Sequence, residues 1–152
     1  MKKLRLLLFD DCKRNCVGCC NNDWNLDALP VVESYAGYAE VLLTGGEPML
    51  DPQLVIATAR EIRRQSDAKI YVYMAKIDII SDVCAVLAAT DGICVTLHTQ
   101  EDVPDFVMLW IAMEPHDKLL PPRKSLRLNV FEGVKFPHHK LKYWKVKLEC
   151  GG

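Results

Sequence analysis

Cys12, Cys16 and Cys19, in the segment Cys12-Lys13-Arg14-Asn15-Cys16-Val17-Gly18-Cys19, gather three thiols into one short stretch. Thiolates are soft donors that suit iron or zinc. An iron-sulfur cluster normally takes four cysteine thiolates, so a cluster held by three keeps one iron that an outside molecule can ligate. Lys13 and Arg14 inside the loop can offset the negative charge of such a cluster. A structural zinc site built from Cys12, Cys16, Cys19 and a fourth ligand is the other chemistry this donor set allows. Cys20 is a poor fourth ligand, because adjacent residues seldom reach one tetrahedral ion, and no C-x2-C partner appears downstream.

A second group of reactive character follows about 25 residues later, in Thr44-Gly45-Gly46-Glu47-Pro48. Gly45 and Gly46 let backbone approach a ligand closely, and Glu47 can accept a hydrogen bond from an ammonium group. With no ligand, the same residues make a tight turn from strand to helix. Thr96 and His98 alternate to one face near the end of an apolar run and can touch a bound molecule there.

The elements that must position these residues read as alternating strands and helices. Leu4 to Phe9 is nearly continuously apolar, as a strand covered on both faces tends to be, and it leads into the cysteine loop. A short helix is predicted over about Val31 to Tyr38, then a second strand from Ala39 to Leu43 that leads into the glycine turn. Asp51-Pro52 supplies a cap and a first-turn proline, and Val55, Ala59 and Ile62, with Leu54 alongside, support a helix to about Gln65. Lys69 to Tyr73 reads as a third strand, Asp78 to Ala89 as a helix and Gly92 to Leu97 as a fourth strand. Phe106 to Met113 and Ser125 to Val130 read as further strands, and Tyr143 to Leu148 as an edge strand. This alternation predicts a parallel α/β sheet with right-handed crossovers. Active sites of such folds gather at the carboxyl ends of the strands, where the cysteine loop and the Gly-Gly-Glu turn would share one rim.

The C-x3-C-x2-C loop after the first strand, with Thr44-Gly45-Gly46-Glu47-Pro48 after the second, resembles the radical S-adenosylmethionine (SAM) superfamily. The likeness covers about residues 3 to 62 and extends farther only in strand and helix order. It implies a shortened, partly open parallel (β/α) barrel. It also implies a [4Fe-4S] cluster on Cys12, Cys16 and Cys19, whose remaining iron binds the amino and carboxylate groups of SAM. Reductive cleavage of SAM would then release a 5′-deoxyadenosyl radical. Gly45, Gly46 and Glu47 would face SAM, as would Thr96, and Asn129 lies where family strands often present a polar ligand to it. Gly18, followed by Cys19-Cys20-Asn21-Asn22 and Trp24, is similar to the small activating enzymes that install a glycyl radical in anaerobic ribonucleotide reductase. Met74-Ala75-Lys76 stands where many family members carry a Thr-Asn-Gly-like turn. The partners implied are a glycyl-radical enzyme or a small-molecule substrate, with an electron donor such as flavodoxin or ferredoxin. A 7-carboxy-7-deazaguanine synthase-like enzyme acting on a nucleotide-like molecule remains open. So does a non-catalytic iron-sulfur or zinc module.

Size and composition agree with one domain over residues 1 to 152, half of them apolar. A chain of this length buries roughly 70% of the surface its unfolded form exposes, so it needs no metal merely to fold. Its seven cysteines, an odd number, fit metal ligation plus buried thiols better than a disulfide framework. Cys84 and Cys94, on apolar segments, read as core. No apolar run is long enough to span a membrane, and Asp10 and Asp11 cut short the run after Met1-Lys2-Lys3, so a cytoplasmic location is expected. The net charge of −1 hides an asymmetry: residues 1 to 117 carry 10 basic and 18 acidic residues, and residues 118 to 152 carry 9 and 2. That basic segment can meet an acidic partner or a nucleotide, or fold back on the acidic body; membrane and nucleic acid are not the expected partners.

Overall fold

A computed structural model describes residues 3–7, 34–45, 47–113, 124–141 and 144–149. The cysteine loop, with Cys12, Cys16 and Cys19, and also Gly46, lie outside the described residues. The elements run β1 (Lys3–Leu7), β2 (Glu40–Thr44), α1 (Pro52–Gln65), β3 (Lys69–Met74), α2 (Ile80–Ala89), β4 (Gly92–Leu97), α3 (Val103–Met113), β5 (Ser125–Phe131) and β6 (Lys145–Glu149). The six strands form one sheet in the order of the sequence, and every pairing is parallel. The chain is therefore an α/β fold. No helix among the described residues is long and apolar enough to cross a membrane.

Parallel pairing fixes which side chains share a face, because the period of a strand is two residues. On one face lie Val41, Leu43, Ile70, Val72, Ile93, Val95, Leu97 and Leu128, all essentially inaccessible and packed in one core with helix residues such as Val55, Ile62, Val83 and Phe106. The alternate residues of the same strands face the other way, and they are mostly polar or aromatic. Tyr71, Tyr73, Thr96, Arg127, Asn129, Lys145 and Lys147 are among them, and none is fully buried.

Local chemistry explains the helix ends. Asp51 caps α1, its Oδ1 accepting from the Leu54 amide at 3.1 Å, with Pro52 in the first turn. Leu54 itself is 38% exposed, and Ile56 joins Val55, Ala59 and Ile62 on the buried face. At the other end of a helix, Lys124 Nζ donates to the Leu87 carbonyl at 2.9 Å and to the Thr90 carbonyl, satisfying acceptors that α2 leaves open. This is one way the basic segment folds onto the body.

Three expectations need correction. Phe106 to Met113 is helix, not strand: it forms most of α3 and buries Phe106, Leu109 and Met113 at i, i+3 and i+7. The start signals were Pro104 in the first turn and Asp102, whose Oδ2 accepts from the His98 and Thr99 amides at 2.8 and 3.1 Å. The helix is also the crossover that a parallel β4–β5 pair requires. The helix expected to about Tyr38 is absent from residues 34–38, where Ser34 Oγ accepts from the Ala36 amide and Gly37 turns the chain at φ +86°. Cys84 is exposed on α2, whose buried face is Val83, Val86 and Leu87.

β4 and β5 approach each other closely at Gly92. A Cβ there would lie 2.5 Å from the Ser125 carbonyl oxygen and 2.7 Å from the Ser125 Cβ. Gly92→Ala is therefore expected to push β4 and β5 apart and to lower stability by about 1–3 kcal/mol, read as a lower denaturant midpoint. An unchanged midpoint would show that the two strands can part here at no cost.

Candidate functional site

The strands that precede the two motifs in the sequence, β1 and β2, pair directly. Leu7, the last residue of β1, lies in register with Thr44, the last of β2. The described end of β1, five residues before Cys12 in the sequence, thus lies beside the residue that enters the glycine turn. Gly45 adopts φ +82°, a conformation that other residues reach only with strain.

Glu47 holds this turn in place. It is 5% exposed, and its carboxylate accepts from the Ala75 amide at 3.0 Å, the Lys76 amide at 3.1 Å and, more weakly, the Met49 amide at 3.4 Å. A buried carboxylate is stable only with such partners. Its hydrogen bonds tie the loop after β2 to the loop after β3, and Met74-Ala75-Lys76 serves as the backbone donor segment.

Beside the turn, the polar face is organised in rows across the strands. One row is Tyr73, Cys94, Arg127 and Lys145, each in register with the next. The next row toward the strand ends is Thr96, Asn129 and Lys147. Thr96 and Asn129, predicted separately, are thus direct neighbours. Asn129 Nδ2 donates to Cys94 Sγ at 3.3 Å. Over these rows opens a cavity of about 440 Å³ lined by Tyr73, Cys94, Arg127, Asn129, Lys145 and Lys147, with Val146 and Glu149 at its edge. His98, just beyond β4, packs edge-on against Phe131 with ring centroids 4.7 Å apart.

Burial governs the titration of the cavity floor. Cys94 is buried, and loss of solvation pushes its thiol up to about 11 against the opposing pull of Arg127 and the Asn129 hydrogen bond. The Tyr73 hydroxyl is raised for the same first reason, with the Cys94 thiol adding to it. Cys94 is therefore a neutral packing group near pH 7, set apart from the main core on the opposite face of β4.

Several of these residues carry a signal in the sequence. Arg127-x-Asn129 and Lys145-x-Lys147 alternate with the apolar Leu128 and Val146, which places polar groups together on one face of each strand. What the pattern could not supply is the register that sets Arg127 beside Lys145. Compared with family models, curated proteins and solved structures, the chain matches none.

Two outcomes follow from these contacts. Glu47→Gln turns one acceptor into a donor facing backbone amides, and a loss of about 1–3 kcal/mol in chemical denaturation is expected; an unchanged midpoint would remove the bracing role. For Cys94 the folded state holds its proton more tightly than the unfolded chain. Its contribution is therefore complete below the ordinary thiol value of 9.0 and is lost as pH rises toward about 11. The stability difference between wild type and Cys94→Ala should shrink over that window, and a constant difference would contradict the assignment.

Proposed function

We propose that the chain is a radical SAM enzyme built on a shortened, partly open parallel (β/α) barrel. The observation that supports this most is the in-register pairing of Leu7 with Thr44, since β1 leads to the cysteine segment and β2 to the glycine turn. Cys12, Cys16 and Cys19 would hold a [4Fe-4S] cluster, and their soft thiolates in threes fit a cluster with one iron open to SAM. When bound, the pair supplies an electron and a 5′-deoxyadenosyl radical for hydrogen abstraction, chemistry that belongs to the cofactors.

The chain's own residues bind, orient and shield. Glu47 ties the segment after β2 to the loop after β3, which fixes where the chain leaves β2. Thr96 and Asn129 offer neighbouring polar groups to SAM from β4 and β5. Lys13 and Arg14 offset cluster charge. The core under the helices closes the sheet's other face to water.

Two kinds of substrate fit. One is a glycine of a partner protein, activated as a glycyl radical with flavodoxin or ferredoxin as electron donor; Gly18 and the residues after Cys19 support it. The other is a small molecule, as in 7-carboxy-7-deazaguanine synthase-like enzymes, and the cavity of about 440 Å³ is of the size such ligands occupy.

Anaerobic reconstitution tests the proposal. A brown protein with about four iron per chain that releases 5′-deoxyadenosine from SAM under reductant is expected. Cys12→Ala, Cys16→Ala or Cys19→Ala should abolish both properties, whereas Cys84→Ala, exposed on α2, should keep them. A colourless zinc protein would overturn the proposal in favour of a structural module. A glycyl radical seen by electron paramagnetic resonance on a partner enzyme would select the activase version.

A further inference from the structure

The cavity over β3 to β6 carries a charge pattern that the sheet itself does not explain. Arg127 and Lys145 stand directly opposite each other on one face of adjacent parallel strands. Like charges placed this way repel and cost stability. Lys147 lies two residues farther along β6 and pairs with Glu149 at 3.2 Å. Among the described residues, neither Arg127 nor Lys145 takes part in an ion pair. Two uncompensated cations thus share one wall of a cavity of about 440 Å³. The other charges of the lining, Lys147 and Glu149, pair with each other, the Cys94 thiol and Asn129 amide are hydrogen-bonded to each other, and Tyr73 and Val146 complete the lining.

We propose that this cavity binds a phosphorylated small molecule, with Arg127 and Lys145 holding the phosphate and Lys147 at its rim. A phosphate monoester carries about two negative charges near neutral pH, which matches two uncompensated cations, whereas a carboxylate would leave one unmatched. The guanidinium fork suits phosphate oxygens, and the lysine ammonium adds a point charge. The volume suits one small molecule, and Tyr73 gives the remainder of that molecule an aromatic surface. The cavity shares Asn129 with the residues proposed to face SAM. Reading its occupant as the enzyme's substrate therefore rests on the proposed function, although the anion site itself does not.

The test is isothermal titration calorimetry on the anaerobically reconstituted full chain, using 5′-AMP, inorganic phosphate, citrate and a short single-stranded oligonucleotide. One 5′-AMP per chain is expected, bound more tightly than phosphate or citrate. Arg127→Gln and Lys145→Gln should each weaken it by about tenfold or more, and Arg127→Lys by less. Lys140→Gln, in the exposed 138–140 turn, should leave it unchanged. Circular dichroism of each variant checks that the fold is kept. Absence of saturable binding, equal affinity in Arg127→Gln, or equal affinity for 5′-AMP and free phosphate would overturn the proposal, as would binding of the oligonucleotide alone. Iron content and 5′-deoxyadenosine release are measured on the same wild-type preparation. Binding without SAM cleavage upholds the site and removes the enzymatic reading, and cleavage without binding does the reverse.

Discussion

Every feature of the molecule depends on six strands pairing in parallel and in sequence order. Parallel neighbours cannot be joined by a tight turn, so each link must carry a crossover, and α1, α2 and α3 fill that role between β2 and β5. Their apolar faces meet the same alternate residues of the strands and make one core. The remaining residues of those strands are thereby released from packing. They can be tyrosine, arginine, asparagine and lysine without cost to the core, and this is where a polar cavity forms.

The same constraint brings separate loops to one rim. Loops after β2 and β3 are distant in sequence, yet Glu47 accepts backbone hydrogen bonds from Ala75 and Lys76, twenty-eight and twenty-nine residues away. The exchange is a good one energetically, because a buried carboxylate without donors would be costly and here it has several. It also means that Glu47 serves the turn's shape at least as much as any ligand.

The fold was largely legible in the sequence, and its failures have physical causes. β3, β4 and α1 follow from periodicity and from the Asp51-Pro52 cap, since those signals are local. Phe106 to Met113 misled because a short apolar run has no clear period, and the evidence for helix lay upstream in Asp102 and Pro104. Cys84 misled for a related reason: an apolar helix places even a small sulfur residue on whichever side its phase dictates. Thr96 and Asn129 were each legible as strand-end polar residues, but their adjacency is a matter of register, which no single strand encodes. For the same reason Arg127 and Lys145 read in the sequence only as part of a general basic segment. The proposed metal ligands, Cys12, Cys16 and Cys19, are legible only as spacing, because the cysteine loop lies outside the described residues.

The proposed chemistry requires a cluster held by three cysteines with one iron left for SAM. Low-temperature electron paramagnetic resonance of the reduced protein, recorded before and after SAM is added, addresses that claim most directly. A [4Fe-4S]⁺ signal whose g values shift on adding SAM is predicted, because the added ligand changes the environment of one iron. A cluster signal indifferent to SAM, or a reduced protein with no iron signal, would contradict it.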